Sequence, residues 1–353
     1  MTDRTIKRRT MLQGGAALAG TLALRGWSAI GTGPQPDLPT LVVFWLNGGP
    51  AGLFNTADSF LRNGAFGVTE QTVRKLGNDL FVDKDSFGRM PPAALRHMAS
   101  INFRHGILRP HDDARAAVLQ AGSRSQLLRI AAAIPRQTPV RCAVVNNLGF
   151  PVGVASAAPR EGDAGLERIL SLEHVAGHVS SGQLSEARVA YGMPATQTEI
   201  NDQRSTFAAV ELLVLAGASV IFAQPAYTGR QDRQFDTHED DTGVAARAVM
   251  APVTPSLALF LERALALPGR NVVTVLAGEF SRTVPASDHE PGGTATVIGK
   301  YIKTGTVGPQ NADGSPPLNA GPAEGLWAYA CAALRLGSAP FGKNPKPELI
   351  AYP

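Results

Sequence analysis

Short runs of β-branched and aromatic residues recur along the chain, and each gives way to a polar or glycine-rich segment. Four such runs are LVVFWL at 41–46, PVRCAVVN at 139–146, ASVIFAQ at 218–224 and NVVTVL at 271–276. Apolar runs of this length, without alternating polar positions, are typical of strands buried on both faces of a parallel sheet. The pattern therefore predicts four buried strands.

Segments with a helical spacing of apolar residues separate these runs. The predicted helices cover 91–100, which opens on two prolines, 114–122, 125–134, much of 165–193, 202–218, 253–270 and 326–336. We expect residues 61–90 to be irregular because four glycines interrupt them, and the stretch after Asp288-His289 to form loops because it is rich in Gly, Thr and Pro. Strands that alternate with helices over most of the chain predict an α/β fold with a mostly parallel sheet.

The first 37 residues have the layout of an export signal. A basic segment with the twin arginine Arg8-Arg9 precedes a short run rich in Gly and Ala. This layout predicts a twin-arginine signal peptide and linker over 1–37 and a single domain over 38–353. The twin-arginine translocase would be a partner during export to the periplasm or the extracellular space of a bacterium. The apolar run is too short for a transmembrane span, and the alternative is a basic amphipathic N-terminus.

Charge and cysteine content narrow the classes of function. The formal net charge is +4, and much of the excess lies in the first nine residues. Basic residues do not form a stripe interleaved with aromatic residues, so no nucleic-acid partner is expected. Cys142 and Cys331 lie in apolar segments, which favours buried thiols over the alternative, a single disulfide in an oxidising compartment.

Polar side chains concentrate where the predicted strands end. One follows the first strand, a pair follows the third, and further groups follow the fourth or precede a helix. Ligands bind outside the carboxyl ends of the strands in open α/β sheets, so these residues are candidates for a site. The residues singled out in this way are Asn47, His111, Asp236, His238, Glu279, Asp288 and His289.

Carboxylate and imidazole groups together indicate a divalent metal ion as cofactor: zinc, manganese, magnesium or calcium. Such an ion can polarise a phosphoryl or sulfuryl oxygen and activate an attacking oxygen. Each residue also has a structural interpretation as an N-cap, a turn residue or a paired surface carboxylate. His174 and His178, at i and i+4 of a predicted helix, have a metal-binding spacing too, although solvated or core histidines are favoured there.

Four motifs carry a resemblance to a known family: WLNGGPAGL at 45–53, FDTH at 235–238, GEFSR at 278–282 and DH at 288–289. In their order and long gaps the chain is similar to the domain-of-unknown-function 1501 family, whose members resemble the alkaline phosphatase and sulfatase superfamily. The resemblance implies an alkaline phosphatase-like three-layer α/β/α sandwich with a mostly parallel central sheet. It also implies a metal site at the carboxyl ends of the strands and hydrolysis of an ester.

The resemblance suggests a role for each candidate residue. Arg282 is expected to pair with a substrate anion or to anchor Glu279, Asn47 to orient a ligand or cap the turn, and His111 to contact substrate or metal. The expected metal ligands, or close partners of the ligands, are Asp236, His238, Glu279, Asp288 and His289.

Two of the departures from the family pattern bear on catalysis. Ala51 or Phe54 stands where the family has an aspartate in the first turn, and Thr56, Ser59 and Ser123 are equal candidates for the nucleophile. We predict an exported metal-dependent hydrolase of phosphate or sulfate esters, acting on a small or polymeric anionic substrate. The alternative is a non-catalytic binding or assembly protein on a degenerate sulfatase-like scaffold. A nucleotide-dependent enzyme is disfavoured because GxGxxG and P-loop motifs are missing.

Overall fold

The computed structural model describes residues 37–135, 138, 140–145, 166–225, 235–336 and 340–351. One compact unit spans Leu38–Pro353 and contains every element named below. Residues 1–36 of the signal peptide and linker predicted over 1–37 lie outside the described residues, as do both ends of the strand predicted at 139–146.

The described residues contain fourteen strands, and eight of them form one central sheet. The strands are β1 Leu38–Trp45, β2 Val73–Leu76, β3 Leu80–Asp83, β4 Met98–Arg104, β5 Gln120–Ala121, β6 Arg124–Ser125, β7 Cys142–Val145, β8 Leu166–Ile169, β9 Val220–Ala223, β10 Arg270–Ala277, β11 Ser281–Arg282, β12 His289–Glu290, β13 Gly292–Ile298 and β14 Gly305–Val307. The sheet has the order β14-β4-β13-β10-β1-β9-β7-β8. Adjacent strands in this sheet pair in parallel, except that β13 runs antiparallel to β10 and β4. The prediction of a mostly parallel sheet is confirmed.

Helices cover both faces of this sheet. They are α1 Pro92–Arg96, α2 His111–Leu119, α3 Gln126–Ala133, α4 Leu172–Ala176, α5 Ser181–Ala190, α6 Gln203–Ala216, α7 Val244–Met250, α8 Val253–Ala266 and α9 Ala323–Ala333. Successive side chains of β1 point to opposite faces. Phe44 lies 4.4 Å from Phe207 of α6, measured between ring centroids, whereas Trp45 belongs to the apolar cluster that contains Trp327 of α9. The fold is therefore an α/β/α arrangement of three layers.

Local sequence signals set several helix ends. The side chains of Ser125, Ser180 and Asp202 accept hydrogen bonds from backbone N–H groups in the first turns of α3, α5 and α6, which satisfies donors that a helix leaves free. Gly217 ends α6 with a φ of 92°, a left-handed conformation that glycine adopts without a steric penalty.

Four predictions of secondary structure were wrong or incomplete. The helix predicted at 91–100 ends at Arg96, and β4 begins at Met98. The segment predicted as loops after Asp288-His289 contains β13, which is buried along its whole length. Residues 165–193 begin with a strand, β8, and the irregular stretch 61–90 contains the hairpin β2–β3. Strand pairing decides these elements: β4 and β13 pair with each other across a long stretch of chain, β8 pairs with β7, and β2 pairs with the adjacent β3.

Two further predictions concern the cysteines and the membrane. Cys142 and Cys331 are free, buried thiols, as expected from their apolar surroundings. Within the described ranges, no single helix has the length and hydropathy of a membrane span, and the bent pair α7 and α8 reaches both criteria when taken together.

Candidate metal centre

The parallel pairing of β1 with β10 brings two predicted site residues to the same edge of the sheet. Trp45 lies opposite Ala277 at the end of the shared register. Asn47 and Glu279, each two residues further on, therefore leave the sheet side by side. This edge is formed by the carboxyl ends of the parallel strands, where ligands bind in open α/β folds.

The glycine turn that follows β1 packs closely against the segment that follows β10. Gly48 and Gly49 have φ values of 99° and 88°, and a Cβ at Gly49 would lie 2.5 Å from the carbonyl oxygen of Phe280. Glycine is therefore required by both conformation and space. The backbone N–H of Gly48 donates to Oε1 of Glu279 at 2.9 Å, which fixes the carboxylate relative to the turn.

Three imidazole rings converge on the carboxylate of Asp236. The Nε2 atoms of His238 and His289 lie 3.0 and 3.2 Å from Oδ1, and Nε2 of His111 lies 3.5 Å from Oδ2. The ring centroid of His289 is 4.6 Å from that of His111 and 4.8 Å from that of His238. Phe280 stacks on His289 with a centroid separation of 4.2 Å. Segments far apart in the chain thus build one cluster: the first residue of α2, the residues at 236–238 and β12.

Arg282 pairs with the same carboxylate. Its side chain is completely buried, and Nη2 donates to Oδ1 of Asp236 at 2.6 Å. Further N–H groups of the guanidinium donate to the carbonyl oxygens of Gly48, Gly49 and Ser287. Arg282 therefore holds Asp236 against the glycine turn, a role different from the two that the sequence suggested, contact with a substrate anion or anchoring of Glu279.

Glu279 orients His111 from the other side. Nδ1 of His111 lies 2.9 Å from Oε1 of Glu279, while Nε2 of the same ring faces Asp236. Nη2 of Arg115 lies 3.7 Å from that Oε1 and donates to Oδ1 of Asn47 at 2.7 Å. A carboxylate behind an imidazole fixes the ring orientation and leaves the second nitrogen for a ligand.

The electrostatics follow from these contacts. Hydrogen bonds to Asp236 and Glu279 raise the pKa of His111 to about 9. Burial pushes the pKa of Asp236 upward, but hydrogen bonds from His111, His289 and Arg282 outweigh burial and hold this pKa far below its usual range. Burial lowers the pKa of His289. At neutral pH the cluster therefore contains an ionised carboxylate, a protonated ring at His111 and a neutral ring at His289.

This donor set fits a divalent metal ion. His111, Asp236 and His289 each offer a ligand atom, and these atoms lie within 4.8 Å of one another. Imidazole nitrogen and carboxylate oxygen form the usual ligand sets of catalytic zinc. Two buried polar atoms, Oε2 of Glu279 and Nδ1 of His289, have no hydrogen-bond partner in the described part of the chain. Buried polar atoms are normally satisfied, and a metal centre with its water would supply such partners.

The structure gathers most of the predicted site residues in this cluster: Asn47, His111, Asp236, His238, Glu279, Arg282 and His289. Asp288 lies at the rim instead, with a side chain about half exposed. One of its carboxylate oxygens is 3.9 Å from Nδ1 of His238 and the other is 3.9 Å from Nη2 of Arg109. Asp288 is thus outside the group of ligand atoms that could share one ion.

Sequence reasoning missed two members of the site. Arg115 lies one helical turn after His111 on α2, so the i, i+4 spacing could have indicated it. His105 contacts the site through Nε2, which lies 2.6 Å from the carbonyl oxygen of Glu279. Burial lowers the pKa of His105, so the neutral ring donates there. No local pattern marks His105, because its partner is 174 residues away.

An open cleft adjoins the cluster. It has a volume of about 500 Å³ and is lined by Gly106, Ile107, Leu108, Arg109, Asp288 and His289. The cleft gives a ligand access to His289, while Leu108, which is 53% exposed, offers an apolar contact beside the charged rim.

No protein-family model matches the chain, and no curated protein matches it. The fold and the site therefore define the class of protein: an α/β protein with a histidine-rich candidate metal centre at the carboxyl edge of its sheet. The similarity to the domain-of-unknown-function 1501 family remains a prediction from the four motifs.

Proposed function

We propose that the chain is an exported hydrolase of phosphate or sulfate esters that depends on a divalent metal ion, on an alkaline phosphatase-like scaffold. The observation that carries the proposal is the convergence of three imidazole Nε2 atoms on Asp236. His111, Asp236 and His289 would hold the ion. When bound, the ion would polarise a non-bridging oxygen of the ester and offset the charge that develops on it.

The charges around the cluster favour an anionic substrate. The guanidinium groups of Arg282 and Arg115 balance the carboxylates of Asp236 and Glu279. At the rim, Asp288 lies near Arg109. A divalent ion would thus add positive charge that no described side chain of this set cancels. A positively charged cleft concentrates negatively charged ligands.

His238 is the imidazole best placed to move a proton. Its side chain is 45% exposed, whereas that of His289 is 8% exposed. It therefore lies on the solvent side of the cluster, with Nε2 toward Asp236 and Nδ1 toward Asp288. We assign His238 to general acid–base catalysis, donating a proton to the leaving-group oxygen.

The sequence suggested three hydroxyl side chains as possible nucleophiles. Their positions favour a mechanism in which water attacks the ester directly. Oγ1 of Thr56 donates to the carbonyl oxygen of Gly52 at 2.9 Å, and Oγ of Ser59 donates to that of Gln310 at 3.0 Å. Ser123 is exposed in the turn between β5 and β6. Thr56 and Ser59 thus serve the local structure, and a hydrolysis without an ester intermediate on the chain agrees best with their positions.

Metal content and ester hydrolysis, measured on the same preparations, test the proposal. The full chain, loaded with Zn²⁺ or Mn²⁺, should bind the ion and hydrolyse p-nitrophenyl phosphate or p-nitrophenyl sulfate. Asp236→Asn and His289→Gln should lose ester hydrolysis and the equivalent of metal ion that this centre binds. Asp113→Asn is the matched control, since Asp113 is an exposed carboxylate in the first turn of α2, and it should retain both.

The outcomes separate the proposal from its alternative. Metal binding that depends on Asp236, without turnover of any phosphate or sulfate ester, would favour the non-catalytic binding or assembly protein. That alternative is supported by Ala51 or Phe54, which stand where the resembling family has an aspartate. A folded chain that binds no divalent ion would rule out the metallohydrolase.

A further inference from the structure

A second imidazole–carboxylate cluster lies on the last strand of the sheet, apart from the candidate metal centre. Glu167 belongs to β8, and His174 and His178 follow it in and after α4. The Nε2 atoms of both rings approach one carboxylate oxygen, Oε1 of Glu167, at 2.5 Å from His174 and 3.4 Å from His178. A ligand atom from each of the three residues lies within 4.8 Å of the others.

We propose that Glu167, His174 and His178 form a second metal site, for a divalent transition-metal ion of the zinc type, which fastens the edge strand β8 to the segment that follows it. Two imidazole nitrogens and one carboxylate oxygen form a ligand set that zinc uses in proteins. The three side chains are between 22% and 40% exposed. The ion can therefore enter from solvent and complete its coordination with water.

The backbone holds both histidines in place without an ion. Oγ of Ser171 accepts a hydrogen bond from the N–H of His174 at 3.2 Å, and the N–H of His178 donates to the carbonyl oxygen of Val175 at 2.9 Å. Leu172 and Val175 of α4 are buried in the apolar core. Because the core and the cap fix this segment, the rings face Glu167 with little freedom left to lose on binding a metal, which favours affinity.

The position of the cluster indicates what the ion would do. In the sheet, β8 pairs with β7 and has no second strand neighbour within the described residues. The ion would bridge Glu167 on this edge to residues seven and eleven positions further along the chain. An ion that binds the folded state stabilises it by mass action, so we expect it to strengthen the edge of the sheet.

A hydrogen-bonded His–Glu–His group without an ion is the competing interpretation, since one carboxylate oxygen can accept from two rings. Zinc titration of the full chain distinguishes the two. In a chain carrying Asp236→Asn and His289→Gln, which blocks the first centre, calorimetry with ZnCl₂ should show one equivalent bound and a raised Tm. The further changes His174→Gln and His178→Gln should remove both effects. Glu173→Gln, an exposed carboxylate of the same short helix, should leave them unchanged.

A second measurement covers the case in which the blocked chain does not fold. In the otherwise native chain, His174→Gln with His178→Gln should lower the zinc content by one equivalent relative to Glu173→Gln, whether or not the first centre binds metal. Uptake of no zinc at the second cluster by a folded chain, or an unchanged content after the double histidine substitution, would overturn the proposal.

Discussion

Removal of the Arg282 guanidinium should destabilise the fold more than any surface substitution. Arg282→Met keeps much of the side-chain volume but removes the charge and all five N–H groups. In the native chain those groups contact Asp236 and the carbonyl oxygens of Gly48, Gly49 and Ser287. The side chains of Arg282 and Asp236 are 0% and 7% exposed, so water cannot replace the lost contacts.

The expected loss follows from this burial. Breaking a buried ion pair by removing one partner costs about 3–5 kcal/mol, and each buried carbonyl left without a donor adds to that cost. We therefore expect Arg282→Met to lower the free energy of unfolding by at least about 4 kcal/mol, a large share of the roughly 5–15 kcal/mol typical of a domain. Arg282→Lys keeps the charge but not the planar fork, and should lose about half as much, ~2 kcal/mol.

Urea denaturation in the presence of EDTA measures these differences without a contribution from bound metal. The double variant Arg282→Met with Asp236→Asn should lose less than the sum of the single variants, because the two side chains interact. A loss below about 1 kcal/mol for Arg282→Met, the range of an exposed salt bridge, would refute the assignment of Arg282 as the buried partner of Asp236.

Three further predictions concern the metal centre, a glycine beside it and the buried cysteines. His111 has a pKa of about 9, and a metal ion binds the neutral ring. The affinity for Zn²⁺, measured by chelator competition, should therefore rise about tenfold per pH unit between roughly pH 7 and 9 and level off above pH 9. An affinity that does not change with pH would contradict this. Gly278→Ala should lower the free energy of unfolding by about 1–3 kcal/mol, because the new Cβ would lie 2.5 Å from the carbonyl oxygen of Leu46. Gly321→Ala should be close to neutral, because no atom of the described residues lies within 4 Å of its Cβ. Equal losses for the two variants would refute the steric argument. Burial raises the pKa values of Cys142 and Cys331 to about 12. Both buried thiols should therefore react with Ellman's reagent after unfolding and not before; rapid labelling of the native chain would show that they are accessible.

Several elements could be predicted because their signal is local. The runs that become β1, β9 and β10 are almost continuously apolar, without an alternation of polar positions, and this marks a strand covered on both faces. The helix α6 carries its own limits in Asp202 and Gly217. Neither signal depends on which other segments lie nearby.

Other elements could not be predicted because their neighbours stabilise them. The segment of β13 opens on two glycines, which weaken its strand preference, yet β10 and β4 pair with it on both sides. The strand β4 comes directly after the short helix α1, which begins at a proline, and no turn signal in the sequence separates the two. Its place in the sheet depends on β13 and β14, which come about 200 residues later in the chain.

The same division applies to the candidate site: local sequence marked some of its residues, and only the tertiary structure set their partners. The sequence by itself placed Asn47 and Glu279 after buried strands and marked the motifs with Asp236 and His289, since strand ends and residue types are local properties. The tertiary structure decided the partners: Arg282 meets Asp236 across 46 residues, and His111 meets Glu279 across 168. These pairings depend on the strand order and on the glycine turn at Gly48, and that order arises from long-range packing.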